Sequence, residues 1–389
     1  MSRNISIGID LGTYSTNTVV LEFDQKNNAP KILALSSSPS SGLRQGAVVD
    51  VKEAAESIKS SIKSAQKTAG FPLRRAFVSI GGAALCSTIS KGVSAVSRAD
   101  GEITESDIKR AVINSESILP KMANKNIIHS IPLFFKIDNE SAGRNPVGMK
   151  GGKLEVETLF ITAPSQNFNN ILKSFEMAGI KVKEIIAGPL AAGRVLLQKK
   201  QKEVGSLLMD IGGGTVSFAI FEKGLPAHLN ILPFGGDNIT NDIATLTKIP
   251  LDEAEKLKHL CGAENSGIDK QTQKKLSEII DARLRDAFDL ANENLKKINR
   301  ERLLPGGAIL TGGSANFPML ANLAKDCLQL NAELGLCYEF ETKENKFFDA
   351  KWATALGLAM LDLDDDDELN GSGISVINPI LQWLKNFLP

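Results

Sequence analysis

Apolar and polar residues alternate through 5–10 and again through 16–23, with the pair Gly12-Thr13 between the two runs. A period of two on either side of a turn predicts a β-hairpin. Val51, Ala54, Ala55, Ile58, Ile62 and Ala65 then recur at the three-to-four spacing of one helix face. They predict a helix over 51–69, stopped by Gly70. A short strand over 77–80 runs into Gly81-Gly82.

From about 83 to 162 the texture changes to Ser- and Lys-rich strands, a helix opened by Thr104-Glu105-Ser106-Asp107 and running through Ile118, and strands around 127–137. A Thr followed three residues later by an acid is a capping signal, and the stretch is read as a small α+β module. A strand over 158–164, a helix over 168–178 and the segment 182–197 return to α/β character. Helices are predicted over 252–260, 274–299, 317–330 and 352–361, with a short strand at 308–310 ending in Thr311-Gly312-Gly313-Ser314.

The opening pattern occurs twice. Ile5-Ser6-Ile7-Gly8-Ile9-Asp10-Leu11-Gly12-Thr13 is matched by Ser206-Leu207-Leu208-Met209-Asp210-Ile211-Gly212-Gly213-Gly214-Thr215. Each is a strand ending in Asp, then Gly and Thr, then a second strand. The separation is too long for a solenoid and suggests two similar α/β domains, each bringing one hairpin to a shared cleft.

Composition narrows the reading. The 389 residues carry 45 Lys+Arg against 45 Asp+Glu, a net charge of zero, with 42% hydrophobic residues. Two or three domains with real cores are expected, and nothing supplies the basic field that a nucleic acid demands. The four cysteines are widely spaced without a CxxC pair, which suggests neither a disulfide frame nor a structural metal. No signal core follows Met1, and no window approaches the roughly 20 apolar residues of a membrane span. A reducing cytoplasm is the expected setting.

A Gly at a hairpin tip removes the Cβ that would keep backbone N–H groups from a phosphate, and the neighbouring Thr adds a hydroxyl. An Asp closing the preceding strand reaches a phosphate-bound Mg²⁺ through its waters. One Asp-Gly pair alone is commonly an ordinary turn, whereas the pair of copies points to a triphosphate. Gly312-Gly313 would let backbone approach a nucleoside, though a bare strand-to-helix turn reads the same way. Glu255 and Lys258 share a helix face suited to ribose hydroxyls or, equally, to a surface ion pair.

The order of hairpin, inserted module, Gly188-Pro189-Leu190-Ala191-Ala192, second hairpin, Gly235-Gly236-Asp237-Asn238-Ile239-Thr240, Ala254-Glu255-Lys256-Leu257-Lys258, Thr311-Gly312-Gly313 and Thr354-Ala355-Leu356-Gly357 resembles the actin-like ATPases. Within them it resembles the FtsA family of bacterial cell division. His129-Ser130-Ile131-Pro132 and Asn145-Pro146-Val147-Gly148-Met149-Lys150-Gly151 in the insertion are the most telling segments. The resemblance covers essentially the whole chain and implies a two-lobed, ribonuclease H-like α/β fold. Subdomain IA would be 1–82 and 163–203, the inserted IC 83–162, IIA 204–232 and 305–361, and IIB 233–304.

The same resemblance implies ATP and Mg²⁺ as ligands. Phosphate contacts carry over to Gly12, Thr13, Gly213, Gly214 and Thr215, magnesium to Asp10 and Asp210, and nucleoside contacts to Gly236, Glu255, Lys258, Gly312 and Gly313. Tyr14-Ser15-Thr16 departs from the family, which commonly has Ser then Lys there. No residue stands out as a catalytic base, so hydrolysis would be weak and ATP chiefly a conformational ligand. Implied partners are further copies of the chain in filaments, the C-terminal tail of FtsZ on IIB, and other division proteins through IC. The tail would meet Arg283, Arg285 and Arg300, a basic run that reads equally as a solvated face. A sugar kinase and a pilus-assembly ATP-binding protein of the same superfamily are the rival readings.

Six acids between Asp362 and Glu368, followed by Asn370-Gly371-Ser372-Gly373, predict a flexible acidic linker over 362–375. Beyond it, a helix over 376–389 would gather Ile377, Ile380, Leu381, Trp383, Leu384, Phe387 and Leu388 on one half. Such segregation reads as an interfacial membrane helix, and the resemblance implies peripheral attachment to the inner face of the cytoplasmic membrane at the division site. A terminal helix docked on its own domain is the alternative.

Overall fold

The computed structural model describes residues 4–24, 29–120, 124–261, 267–337 and 350–370. β1 (Ile5–Leu11) and β2 (Ser15–Asp24) form the first hairpin, and β3 (Ala29–Pro39) continues it antiparallel. The short hairpin β4 (Leu43–Arg44) and β5 (Ala47–Val48) leads to α1 (Val51–Ala69) and β6 (Arg75–Ile80). Asp50 accepts hydrogen bonds from the Lys52 and Glu53 N–H groups at the start of α1, and Gly70 closes it at φ 82°. The helix thus has the limits its apolar spacing predicts.

The module that follows comprises β7 (Cys86–Ala95), α2 (Glu105–Ser117), β8 (Lys125–Ile137), β9 (Glu140–Gly143) and β10 (Lys153–Pro164). The Thr104/Asp107 capping box forms as expected. α2 covers one face of the β7–β10–β8 sheet around Ile108, Val112, Phe135, Leu154 and Val156, a core of its own. α3 (Ser165–Met177), β11 (Lys181–Ala187), α4 (Gly188–Leu196) and α5 (Lys199–Val204) return to the first lobe and lead out of it.

The second lobe repeats the first. β12 (Ser206–Ile211), β13 (Val216–Glu222) and β14 (Leu225–Leu232) are antiparallel. α6 (Gly236–Thr247), α7 (Leu251–Leu260) and α8 (Lys270–Lys297) pack beside them. β15 (Ala308–Thr311), α9 (Leu320–Leu328) and β16 (Ala332–Leu334) complete this lobe, and α10 (Ala353–Asn370) returns to pack on β1, β6 and α4 of the first lobe.

The sheets run β11-β6-β1-β2-β3 and β16-β15-β12-β13-β14-β7-β10-β8-β9. In both lobes an antiparallel three-strand meander is extended by two parallel strands, β6 and β11 in one, β15 and β16 in the other. The sequence repeat is therefore a topological repeat. The inserted module joins the second lobe at a single bridge, Asn230 to Cys86, beside which the Ser87 hydroxyl donates to the Leu229 carbonyl at 2.9 Å.

Two expectations about the C-terminal part need correcting. The last helix does not end near 361, and the acidic run does not begin as a solvated linker: α10 continues through it to Asn370. Asp362 is 2% exposed, accepts from the Ile7 N–H at 3.0 Å and pairs with Lys183. Asp364 pairs with Arg194 of α4 at 2.9 Å. Composition reads six acids as repulsion, whereas here two of them meet cations brought by distant strands and helices. Among the described residues no helix is long and apolar enough to cross a membrane. The proposed membrane residues Ile377 to Leu388 lie outside the described residues.

Candidate functional site

The two hairpin tips close in the same way, Gly12 N–H donating to Ser15 O at 3.1 Å and Gly212 N–H to Thr215 O at 2.9 Å. They face each other across the space between the lobes. A Cβ on Gly214 would lie 2.8 Å from Thr13 Cγ2 and 2.9 Å from Thr13 Oγ1, so only a bare backbone lets the tips meet. The second tip is held by the start of α6, where Gly236 N–H donates to Gly212 O at 2.9 Å and Asp237 N–H to Gly213 O at 2.7 Å.

Beneath and beside the tips opens a cleft of about 600 Å³, the size of a small-molecule site. Of the residues singled out in the sequence, Asp10, Gly12, Thr13, Asp210, Gly213, Thr215, Gly236, Glu255, Lys258, Gly312 and Gly313 all line it. Gly214 sits instead at the junction of the tips, against Thr13.

Asp10 and Asp210 occupy equivalent ends of β1 and β12. The Ser79 hydroxyl donates to Asp10 Oδ1 at 2.7 Å and accepts from the Leu11 N–H at 3.0 Å. Burial pushes the Asp10 carboxyl up to about 6 against that hydrogen bond. Asp210 is pushed to about 7, by burial first and then by the charge of Asp10. Two half-buried carboxyls in the cleft, with the charge of Asp10 raising the proton affinity of Asp210, are a donor set that a divalent cation would relieve. Gly312 closes the other side of Asp210: its φ is +91° and a Cβ there would fall 2.2 Å from Asp210 Oδ1.

Glu255 and Lys258 do not form the surface ion pair that their spacing allows. Lys258 is buried and donates to Gly236 O at 3.1 Å, Thr240 Oγ1 at 2.8 Å and Glu255 Oε2 at 2.7 Å. Burial pushes the Glu255 carboxyl upward, but hydrogen bonds from Lys258 and Thr240 outweigh it and hold the group below its usual range. The pair presents fixed polar groups in the cleft wall.

Sequence reasoning missed several contributors. Gly46, at the β4–β5 turn, donates its N–H to Thr13 Oγ1 at 2.9 Å, which leaves the hydroxyl proton of Thr13 available to an acceptor in the cleft. Gln45-Gly46 between the dipeptides Leu43-Arg44 and Ala47-Val48 was the available turn signal. Tyr14 reaches across the cleft mouth, its hydroxyl 3.4 Å from His259 Nε2. Gly188 and Pro189 form a further wall.

The three arginines proposed to hold a partner lie elsewhere and are engaged internally. Arg283 pairs with Asp242 and Arg300 with Glu222, while Arg285 pairs with Asp281 one turn away on α8. The basic run is therefore neutralised within the fold, Arg285 being the most exposed of the three at 49%.

The family model described as "Cell division protein FtsA" matches residues 207–357, and that described as "SHS2 domain inserted in FTSA" matches 82–162. The cell division protein FtsA of Borreliella burgdorferi is 32% identical over 378 residues, covering 92% of this chain and 91% of the relative. That of Bacillus subtilis is 33% identical over 350 residues, covering 86% and 79%. Among solved structures, a PilM–PilN type IV pilus biogenesis complex matches with a TM-score of 0.69 at 20% identity, covering 92% of this chain and 98% of the other. MreB5 of Spiroplasma citri bound to ADP matches at 0.55 and 13% identity, covering 95% and 99%. At such identities the structural likeness is one of fold, and the fold is actin-like.

Proposed function

The chain belongs to the FtsA family, and from that premise we propose that it binds ATP with Mg²⁺ between its two hairpins, polymerises, and ties FtsZ filaments to the inner face of the cytoplasmic membrane at the division site. The observation that carries the nucleotide part is the facing pair of Asp-Gly-Thr tips with Asp10 and Asp210 at their bases and Gly312 opposite. The tips' glycines would let backbone come close to phosphate oxygens, the Thr13 hydroxyl would donate to them, and the two carboxylates would hold the cation. Glu255 and Lys258 are proposed to meet the ribose from the cleft wall. When bound, the cation offsets phosphate charge. The MreB5 neighbour, described as bound to ADP, supports the same reading of the cleft.

FtsZ is proposed to dock its C-terminal tail on the helices α6–α8, where Leu246, Leu251 and Leu260 of α6 and α7 are exposed and Arg285, on the side of α8 that faces α9, offers an accessible cation. Other division proteins would bind through the inserted module. The segment 376–389 is proposed as the membrane contact, and polymerisation would multiply weak contacts into firm attachment. The pilus-assembly reading shares the fold, but similarity to curated division proteins extends through the insertion and across most of the chain. A kinase would need a base at the substrate hydroxyl, which the reading does not supply.

The test is calorimetric titration of the full chain with Mg-ATP, then co-sedimentation with vesicles and FtsZ tail peptide. Mg-dependent ATP binding and peptide-dependent recruitment to lipid are expected. A folded chain that binds no ATP would overturn the nucleotide reading, and one that leaves the peptide in the supernatant the adaptor reading.

A further inference from the structure

His129-Ser130-Ile131-Pro132 lies outside the cleft, on the stretch of β8 that faces the first lobe. There β8 pairs with β10 on one side, while β9 reaches it only over Phe135–Ile137. β11 is the outer strand of the first-lobe sheet. Two sheet edges therefore oppose each other without a ladder, a place where Pro132, which has no N–H to donate, is tolerated.

The register of β8 slips on both sides of this segment. Ile161 pairs with His129 but Thr162 with Ile127, and Glu157 pairs with Phe134 but Thr158 with Pro132. Ile128 and Leu133 are thus extra residues, and bulges of this kind re-aim the side chains between them. Ile131 enters the core of the first lobe with Leu159 and Ile161. The His129 ring, 6% exposed, accepts a hydrogen bond at Nε2 from the Ala187 N–H at 3.1 Å. Burial keeps the imidazole neutral and so able to accept there.

Ala187 is the last residue of β11, and the next two, Gly188 and Pro189, begin α4 and line the cleft. Its ladder partner is Ile80, which precedes Gly81, another residue of the cleft wall. One imidazole from the inserted module therefore pins the corner at which two cleft-lining turns meet.

We infer that His129 is a positioning residue for the nucleotide cleft, through which the placement of the inserted module and the affinity for nucleotide are linked. The inference rests on the ATP reading of the cleft. It gives the module a second role beside presenting a surface: a partner that tilts the module shifts the Ala187–Pro189 wall, and by linkage nucleotide shifts the module.

Two changes remove the contact from opposite sides. His129→Leu keeps bulk without an acceptor, while His129→Gln places an oxygen near the position of Nε2. Ala187→Pro removes the donor at a residue whose φ is already −60°. ATP affinity is measured by titration on the full chain for all three, with circular dichroism to establish folding and hydrogen exchange of the Ala187 amide for His129→Gln. Leu and Pro variants should each bind ATP about fivefold or more weakly, because the corner loses its fixed partner. Their combination should be no weaker than either alone. The Gln variant should recover affinity to within about twofold and keep the Ala187 amide protected.

A folded His129→Leu with unchanged ATP affinity would overturn the inference, as would a Gln variant no better than Leu, which would show that ring packing and not the acceptor matters. Should His129→Leu fail to fold, Ala187→Pro decides by the same criterion. A wild-type chain without ATP affinity would instead overturn the nucleotide reading itself, and this inference with it.

Discussion

The Asp362 carboxylate in the last helix accepts a hydrogen bond from the Ile7 backbone N–H in the first strand at 3.0 Å, across 355 positions of chain. The same side chain pairs with Lys183 of β11. Truncating it leaves a half-buried cation and a strand N–H without this acceptor, so Asp362→Ala should cost about 3 kcal/mol of stability. Asp362→Asn keeps an acceptor and should cost less. Asp364, 26% exposed in its pair with Arg194, should cost about 1 kcal/mol or below when changed to Asn. Chemical denaturation of the three variants checks the order. Equal, small losses at both positions would return the whole run to the status of a solvated linker.

At the tips, Gly214→Val puts branched carbon where Thr13 already stands, with the first added atom 2.8 Å from its Cγ2. The hairpins must then separate. ATP binding is expected to fall below detection in titration, while the far-ultraviolet spectrum stays native because the clash lies between the lobes and outside both cores. Normal affinity in this variant would mean that the tips do not need to meet.

The hairpin repeat, the limits of α1 and the Thr104 cap were legible because each depends on residues within one element. Asp10 and Asp210 were legible for the same reason, each standing before its own tip. The roles of Ser79, Gly46 and His259 were not, since their partners Asp10, Thr13 and Tyr14 come from other elements and leave no local period. The acidic run was misread on the same ground: nothing local to Asp362 announces Lys183. Arg283 of α8 and Arg300 just beyond it looked free because Asp242 and Glu222, which engage them, are far away in sequence.

Protons compete with a cation for the Asp10–Asp210 pair. In the unfolded chain both titrate near 3.8, and in the fold near 6 and 7. The fold holds these protons more tightly, so its stability is least affected below 3.8 and falls as pH rises through 7 and ionisation is forced on the buried pair. Scanning calorimetry of the ligand-free chain should therefore show a pair-dependent decline in melting temperature over that window, flattened in Asp210→Asn. Mg²⁺ affinity should move the other way, rising with pH as the carboxyls lose their protons. An affinity for Mg²⁺ that falls toward pH 8 would exclude the pair as its site.

Arg285 offers the cleanest test of the partner face. Its ion pair with Asp281 is exposed and worth little to the fold, whereas reversing Arg283 or Arg300 would disrupt contacts between elements. Arg285→Glu should weaken binding of an acidic, partly apolar FtsZ tail peptide severalfold at low salt and less at high salt. Fluorescence anisotropy at two salt concentrations is the measurement. Undiminished binding would move the site off α8.

The proposed membrane contact makes the sharpest prediction about salt. In a helix over 376–389, Trp383 and Phe387 would be one turn apart and carry the largest apolar areas, while Lys385 is the lone cation of the segment. Insertion of apolar area must then dominate attraction to anionic headgroups. Trp383→Ala removes contact area, and Trp383→Glu also forces a charge into the acyl boundary, so Glu should release the monomer from neutral and anionic vesicles alike. Raising salt should change little. Conditions that favour polymers should partly restore Trp383→Ala by adding tails, but cannot restore a chain that lacks 376–389. Vesicle co-sedimentation at low and high salt decides: attachment that survives removal of 376–389, or that collapses with salt alone, would place the lipid contact elsewhere on the molecule.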